Sequence, residues 1–429
     1  MTDTTPAPGD SQDHTLACAA PSDVALLRST RTIRERAQAL LARARHGDSR
    51  FFAVNDGALF TTATVVAQLT RARYPDLGIP YHSRWRHFEA GGVDRTGLLN
   101  AALPDDQPVK RARAQIDLAV VSVLLDAGAG PNWRFVEKPH DSLHIEGVFT
   151  RSEGLGVASF HAFMRGLFSS DPDAPMQADA NGLQQVTAQV LAEAFQVTPK
   201  NPMVGLEGRA ALLRRLGETL ANRPEIFGSD GRPGRMFDVL AGAPPAEAVR
   251  ADDILEFLLD KLSPIWPSDN QLAGAPLGDC WRHGAAVGAG ATSGWMPFHK
   301  LSQWLTYSLL EPFEWAGVRV EGLESLTGLP EYRNGGLFLD SGVLRLKDPA
   351  VADQPHAVGE ELIVEWRALT IALLDELAPL VREQLYLTAS QLPLACVLEG
   401  GTWAAGRVLA QQLRGGSPPL AIESDGTVF

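Results

Sequence analysis

Residues 297–342 carry the side chains best suited to chemistry. PFHKLSQWLTYSLLEPF is followed, after a short connection, by LTGLPEYRNGGLFLDSG. The first segment holds His299, Lys300 and Gln303, and the second holds Glu331, Tyr332 and Arg333. Connectivity alone brings a carboxylate, a cation and an aromatic ring close together, which is equipment for stabilising a sugar cation beside a phosphate. A carboxylate at Glu331 has three uses: it can stabilise an oxocarbenium ion, deprotonate a water, or pair structurally with Arg333. Pro330 fixes the approach to it, and Gly335–Gly336 allows a ligand close to the backbone. His299 and Lys300 open a helix, where backbone N–H groups and a full positive charge suit a 5′-phosphate. The plain alternative is a lysine snorkelling on a solvated face. Asp340 reads as a turn residue or, within a site, as a second acid.

IPYHSRWRHFE, residues 79–89, combines histidines, aromatic rings and arginines. It reads either as a solvated loop with aromatic anchors or as a cap in which Arg84 and Arg86 grip a phosphate or carboxylate. Other catalytic signatures are missing. HExxH does not occur, and His140 and His144, although four apart, are flanked by Pro139 and Asp141, which oppose a regular helix. There is no GxSxG elbow, no phosphate-cradling Walker loop and no GxGxxG fingerprint at the glycine-rich turn Asp126 to Gly130. That turn instead lets a helix end closely against another backbone. No metal ion and no cofactor are expected.

The elements that would position these residues are mostly helical. Of 429 residues, 45% are apolar and 21% charged, so a large core can form. Basic residues number 38 and acidic ones 51, giving a net charge of −13. Such a surface repels nucleic-acid phosphates and anionic lipid heads, although a small phosphate can still enter a locally basic pocket. Cys18, Cys280 and Cys396 cannot build a disulfide framework and fit free thiols in a reducing cytoplasm. The N-terminal segment MTDTTPAPGDSQDH lacks the pattern of a secretory signal, and apolar runs such as Leu118 to Leu125 are too short to span a membrane. A cytoplasmic protein is expected.

Residues 1–22 read as a mobile tail, and 23–429 as one large helical unit with two lobes meeting near residue 200. Helices are expected from about Ser22 to Arg45, Thr62 to Ala72, Ile116 to Leu125, Val157 to Leu167, Asn201 through Leu216, and Asp252 onward, capped by Asp252 and Asp253. Leu301, Trp304, Leu305, Ser308 and Leu309 mark a firm helix ended by Pro312. Long amphipathic patterns follow from about Gly359 and from about Thr402 to Arg414. SRFFAVN, residues 49–55, suits a strand or an extended link, and LFLDSGVLRL, Leu337 to Leu346, reads as a hairpin. The fold class is mainly α, with a few short strands.

Several segments resemble a known family. VSVLLDAGAGPNWRF, RSEGLGVASFHAFMRGLFSSD, NPMVGLEGRAALLRRLG, RPGRMFDVL, PFHKLSQWLTYSLLEP and LTGLPEYRNGGLFLDSGVL are similar to signatures of the uracil-catabolism proteins of the fungal and bacterial URC pathway, over roughly residues 25–429. A second, more distant resemblance is to the queuosine-5′-phosphate N-glycosidases, carried by Pro297–Lys300, Leu329–Tyr332–Arg333 and Glu361–Arg367. It implies a helical, DNA-glycosylase-like architecture and cleavage of a base from ribose 5-phosphate. Glu331 stands where that family has aspartate, and Leu329 where it has phenylalanine. The loss of a stacking ring is compatible with a small leaving group.

Together the resemblances imply hydrolysis of a ring-opened uracil nucleotide of the ribosylurea type to urea and a pentose phosphate. Glu331 would stabilise charge at C1′ and orient water. Lys300, with the helix start at His299 and one of Arg84, Arg86 or Arg151, would hold the phosphate. Tyr332 and Arg333 would frame the pocket. The expected partner is thus a small phosphorylated nucleoside derivative, not nucleic acid or a membrane. The alternative is a non-catalytic nucleotide-binding or scaffold protein of the same pathway.

Overall fold

Apolar residues spaced for one helical face become buried stripes in a mainly α structure. A computed structural model describes residues 22–104, 107–126, 128–138, 147–266 and 269–423. The principal helices are α1 (Thr30–Arg45), α2 (Leu59–Arg73), α3 (Arg84–Phe88), α4 (Pro108–Leu124), α5 (Arg151–Met164), α6 (Leu206–Ala221), α7 (Lys300–Trp315), α8 (Tyr332–Asp340), α9 (Glu361–Leu385) and α10 (Trp403–Arg414). Of the tail expected over residues 1–22, residues 1–21 lie outside the described residues, as do Cys18, His140 and His144.

The long helix α9 is the centre of the packing. Nearly every residue from Leu362 to Leu374 is buried, so it has no solvated face over that stretch. It packs against α1, α2 and α8, while α7 lies on α4 and α8 lies on α10. One continuous apolar cluster runs from Ile33 to Leu420. Each fully buried Leu, Ile or Phe in it contributes about 1.5–3 kcal/mol of transfer free energy.

Strands are short and pair two by two. Phe52–Val54 runs antiparallel to Leu344–Leu346, joining the SRFFAVN segment to the chain after α8. Arg134–Glu137 pairs with Gly147–Thr150, and Cys280–Arg282 with Trp295–Pro297. The second of these ladders delivers the chain to the start of α7.

Four sequence expectations change. Leu337 to Leu346 is not a hairpin: residues 332–340 are α8, and only Leu344–Leu346 is a strand. Glu331 caps this helix, and its glycines permit close packing: a Cβ on Gly335 would sit 2.8 Å from the Trp366 ring. Helix α7 also does not stop at Pro312 but continues to Trp315. Proline removes the donor to the Ser308 carbonyl, and Trp85 Nε1–H replaces it at 2.8 Å. Residues 84–88 are helical rather than a solvated loop, with Arg84, Trp85 and Phe88 buried. Asp252 and Asp253 sit in the first turn of the Ala251–Lys261 helix, whose N-cap is Arg250.

The substituted hydrogen bond at Pro312 yields a test. Trp85→Phe keeps an aromatic ring but leaves the buried Ser308 carbonyl unpaired, and should destabilise the chain by about 1–3 kcal/mol in urea unfolding. An unchanged midpoint and slope would show that the indole N–H does not supply the missing donor.

Candidate functional site

A cavity of about 350 Å³ opens where α3, α5, α7, α8 and α10 converge. Lys300, Glu331, Tyr332, Arg333 and Arg151 all line it, so the structure brings these five candidates together. His82, His87, Asp126, Trp304, Leu329 and Trp403 contribute to the same wall. The volume lies within the range of small-molecule sites.

Glu331 is the N-cap of α8. Its Oε2 accepts from Arg333 N at 2.5 Å and its Oε1 from Asn334 N at 2.8 Å. Capping, rather than a pair with Arg333, is thus its structural role. Each carboxylate oxygen keeps a further lone pair for a ligand. Burial pushes its carboxyl above the ordinary glutamate value, opposed by the two N–H bonds and by the charge of Lys300. Burial also lowers the Lys300 ammonium, and Glu331 pulls it back up.

The position of both groups depends on Asp279 and Arg367. The Arg367 guanidinium meets both Asp279 oxygens at 2.7 Å each, reaches Pro330 O at 3.4 Å, and lies 4.0 Å over the Phe298 ring. Asp279 Oδ2 also accepts from Lys300 N at 3.0 Å, and its backbone carbonyl accepts from Phe298 N and His299 N. The start of α7 therefore already faces a carboxylate, so this helix terminus is not the phosphate cradle expected from sequence. Burial alone would raise the Asp279 carboxyl, but Arg367 and the Lys300 amide hold it down at about 2.

Four other candidates lie elsewhere. His299, in the left-handed region at φ 50°, is buried and bonds through Nε2 to Leu27 O at 2.9 Å, tying down the N-terminal segment. Arg86 is held by Glu311 at 2.6 Å and Glu89 at 2.8 Å. Asp340 ends α8 and pairs with Arg414 at 2.6 Å. Arg84 lies behind the cavity wall, fully buried, with Asp126 at 3.1 Å, Ser122 at 2.6 Å and His87 at 3.0 Å. Gln303 anchors Thr327, whose amide it accepts at 2.9 Å. Arg84, Arg86 and Asp340 are each ion-paired within the protein.

Sequence reasoning did not single out several of the wall residues. His82 bonds to Glu399 at 2.8 Å, and Glu399 also meets Arg73 at 2.8 Å. Against its burial, these bonds draw the Glu399 carboxyl down to about 2. Glu399 lies in a π-helical turn, Leu398–Thr402, that leads directly into Trp403. Its glycines abut α2: a Cβ on Gly401 would meet the Thr70 Oγ1 at 2.6 Å. The EGGTW run was the available signal, because paired glycines inside a helical pattern mark a close approach.

Among the described residues, some of the buried polar atoms without partners lie at this cavity. Among the lining residues they are Arg333 Nε and Nη1, Trp304 Nε1 and Asp126 Oδ1, with Arg84 Nη2 just behind. The Arg333 guanidinium is stacked 4.7 Å from the Tyr332 ring and 5.8 Å from Trp403. Unpaired buried groups are rare in native proteins, and a cluster of them at one cavity points to a polar ligand. Among the described residues, no group of His, Cys, Asp and Glu is placed to hold a metal ion, and no helix is long and apolar enough to cross a membrane.

A family described as "Protein of unknown function (DUF1688)" matches residues 26–429. The chain belongs to this family. Among its relatives is Protein urg3 of Schizosaccharomyces pombe, 40% identical over 418 residues, covering 95% of this chain and 99% of that protein. Uracil catabolism protein 4 of Lachancea kluyveri is 38% identical over 383 residues, covering 82% of this chain and 85% of that protein. The matched range contains the motif segments and every wall residue named above.

The Asp279 pair gives a pH prediction. Its folded value lies below the unfolded one, so its contribution is complete above pH 3.8 and is lost as pH falls towards about 2. Asp279→Asn should lower stability at neutral pH by about 3–5 kcal/mol, because it strands a buried guanidinium, and should flatten this acid transition. Parallel acid-unfolding curves for the two proteins would show that the pair does not hold the site together.

Proposed function

We propose that the chain takes part in uracil catabolism as an N-glycosidase, cleaving a ring-opened uracil nucleotide of the ribosylurea type into urea and a pentose phosphate. The name of one relative, Uracil catabolism protein 4, supports the pathway, and the resemblance that the Lys300, Glu331–Arg333 and Arg367 segments bear in sequence to queuosine-5′-phosphate N-glycosidases supports the reaction class. The observation that carries the reading is Glu331: a carboxylate facing a cavity, its orientation fixed by two backbone N–H groups, with a lysine charge close enough to act on it.

In this reading the ribose lies with C1′ towards Glu331. As the C1′–N bond breaks, its electron pair leaves with nitrogen and positive charge develops on C1′ and O4′. The fixed carboxylate stabilises that charge, worth far more in a partly dry cavity than in water. Water adds to C1′, and the proton it loses balances the proton gained by the departing nitrogen. Arg333, which has donors without protein partners, grips the phosphate with help from Arg151, replacing the helix-start site expected from sequence. Holding the remote phosphate positions the sugar for attack. Tyr332 and Trp403 fix the plane of the Arg333 guanidinium.

One observation favours the alternative of ligand binding without turnover: both Glu331 oxygens already serve as helix-cap acceptors. Glu331→Gln separates the two readings. Its amide keeps one cap acceptor and loses the negative charge, so the chain should remain folded and bind ligand while urea release falls at least about a hundredfold. Urea release at the wild-type rate would remove Glu331 from the chemistry. Because burial raises the Glu331 carboxyl, turnover should fail on acidification at a pH above 4.5, with no such limb set by that carboxyl in the variant. Arg333→Met should raise KM for the phosphorylated substrate much more than for its dephosphorylated form. An equal effect on both would move the phosphate site elsewhere.

A further inference from the structure

One side of the cavity has a polar arrangement that the proposed phosphate and anomeric contacts leave unused. Arg84 is its hub. The guanidinium is fully buried; its Nη1 donates to His87 Nδ1 at 3.0 Å and to Ser152 O at 3.2 Å, and forms an ion pair with Asp126 Oδ2 at 3.1 Å. Its Cζ lies 5.5 Å from the centre of the Trp304 ring, and His87 packs edge-on to the same ring at 5.7 Å. Asp126, Trp304 and His87 thus form one cluster, and all three line the cavity.

The unused valences of this cluster are specific. The Asp126 side chain is 7% exposed, yet Oδ1 has no partner. Trp304 is 5% exposed, and its Nε1–H has none either. Arginine only donates, so His87 Nδ1 must accept from it, which puts the proton of the neutral imidazole on Nε2. Burial and the Arg84 charge lower His87 to about 4, keeping it neutral in ordinary conditions. Among the described residues the cluster therefore holds an unpartnered acceptor, Asp126 Oδ1, and an unpartnered donor, the Trp304 Nε1–H, both on residues of the cavity wall. A carbamoyl group, as in a ureide or amide, presents N–H donors beside a carbonyl acceptor and is the complement of that set.

We propose that Asp126 and Trp304, oriented by Arg84, recognise the carbamoyl group of the ligand. This inference rests on the proposed function and assigns the residues that select its leaving group. Asp126 accepts from the ureido N–H, and the Trp304 indole donates to the ureido carbonyl. A ligand without that group leaves both atoms desolvated and unpaired, which builds discrimination into the site.

Calorimetry with two probes tests this: N-ribosylurea 5′-phosphate and ribose 5-phosphate, titrated into the full chain carrying Glu331→Gln so that no turnover intervenes. Adding Asp126→Asn should weaken the ureido probe at least about tenfold and leave ribose 5-phosphate within about twofold. Trp304→Phe, which removes the N–H and leaves the Arg84–Asp126 pair intact, should act in the same direction. It keeps the test available if Asp126→Asn fails to fold. Equal weakening of both probes would assign these atoms to ribose hydroxyls or to structure and overturn the inference. No weakening of either would overturn it as well. Failure of the parent chain to bind either probe would overturn the proposed function and this inference with it. Selective loss, with a wild-type chain that binds the ureido probe but never hydrolyses it, would leave recognition standing and refute only the glycosidase reading.

Discussion

The candidate site depends on one buried ion pair. Arg367, projecting from the central helix α9, spans both oxygens of Asp279 and also touches the Pro330 carbonyl. Asp279 in turn caps the start of α7 at Lys300. A single planar guanidinium thereby fixes the segment before Lys300 relative to the segment before Glu331. Two desolvated charges are unfavourable unless their hydrogen bonds are complete, and here the carboxylate also bonds to Trp281 Nε1 and the guanidinium stacks on Phe298. Replacing the pair with apolar residues could preserve packing, but it would lose the directional bonds that aim the two segments at one cavity.

A contrast follows between charges that the fold consumes and charges it leaves available. Asp279, Glu399, Asp340, Arg86 and Arg414 are all paired within the protein. At the cavity, Arg333, Trp304 and Asp126 keep valences that nothing among the described residues satisfies. Protein interiors avoid such valences because each costs about 1–3 kcal/mol when left unpaired. Their presence on the cavity wall is the physical basis for a polar ligand rather than an apolar one, while Tyr332, Trp403 and Leu329 supply the apolar remainder of the wall.

The sequence revealed helices better than it revealed contacts. Patterns such as Leu362, Trp366, Leu369 and Leu373 are periodic and long, so α9 was legible, as were α7 and α10. The segment after Glu331 was misread because LFLDSG suits a turn locally, whereas packing on Trp366 and α10 favours a helix. Pro312 was read as a stop because the replacing donor, Trp85, comes from residues remote in sequence. Glu331, Lys300, Tyr332 and Arg333 could be grouped from connectivity. Asp279 and Asp126 could not, because their partners Arg367 and Arg84 lie 88 and 42 residues away and only the tertiary fold brings each pair together.

The central claim is that bond cleavage occurs at the anomeric carbon and not within the urea group. Its most direct test is to incubate the purified chain with N-ribosylurea 5′-phosphate in water enriched in heavy oxygen and analyse both products by mass spectrometry. The account predicts intact, unlabelled urea released in step with pentose phosphate. Ammonia with labelled carbon dioxide, or substrate recovered unchanged, would contradict it.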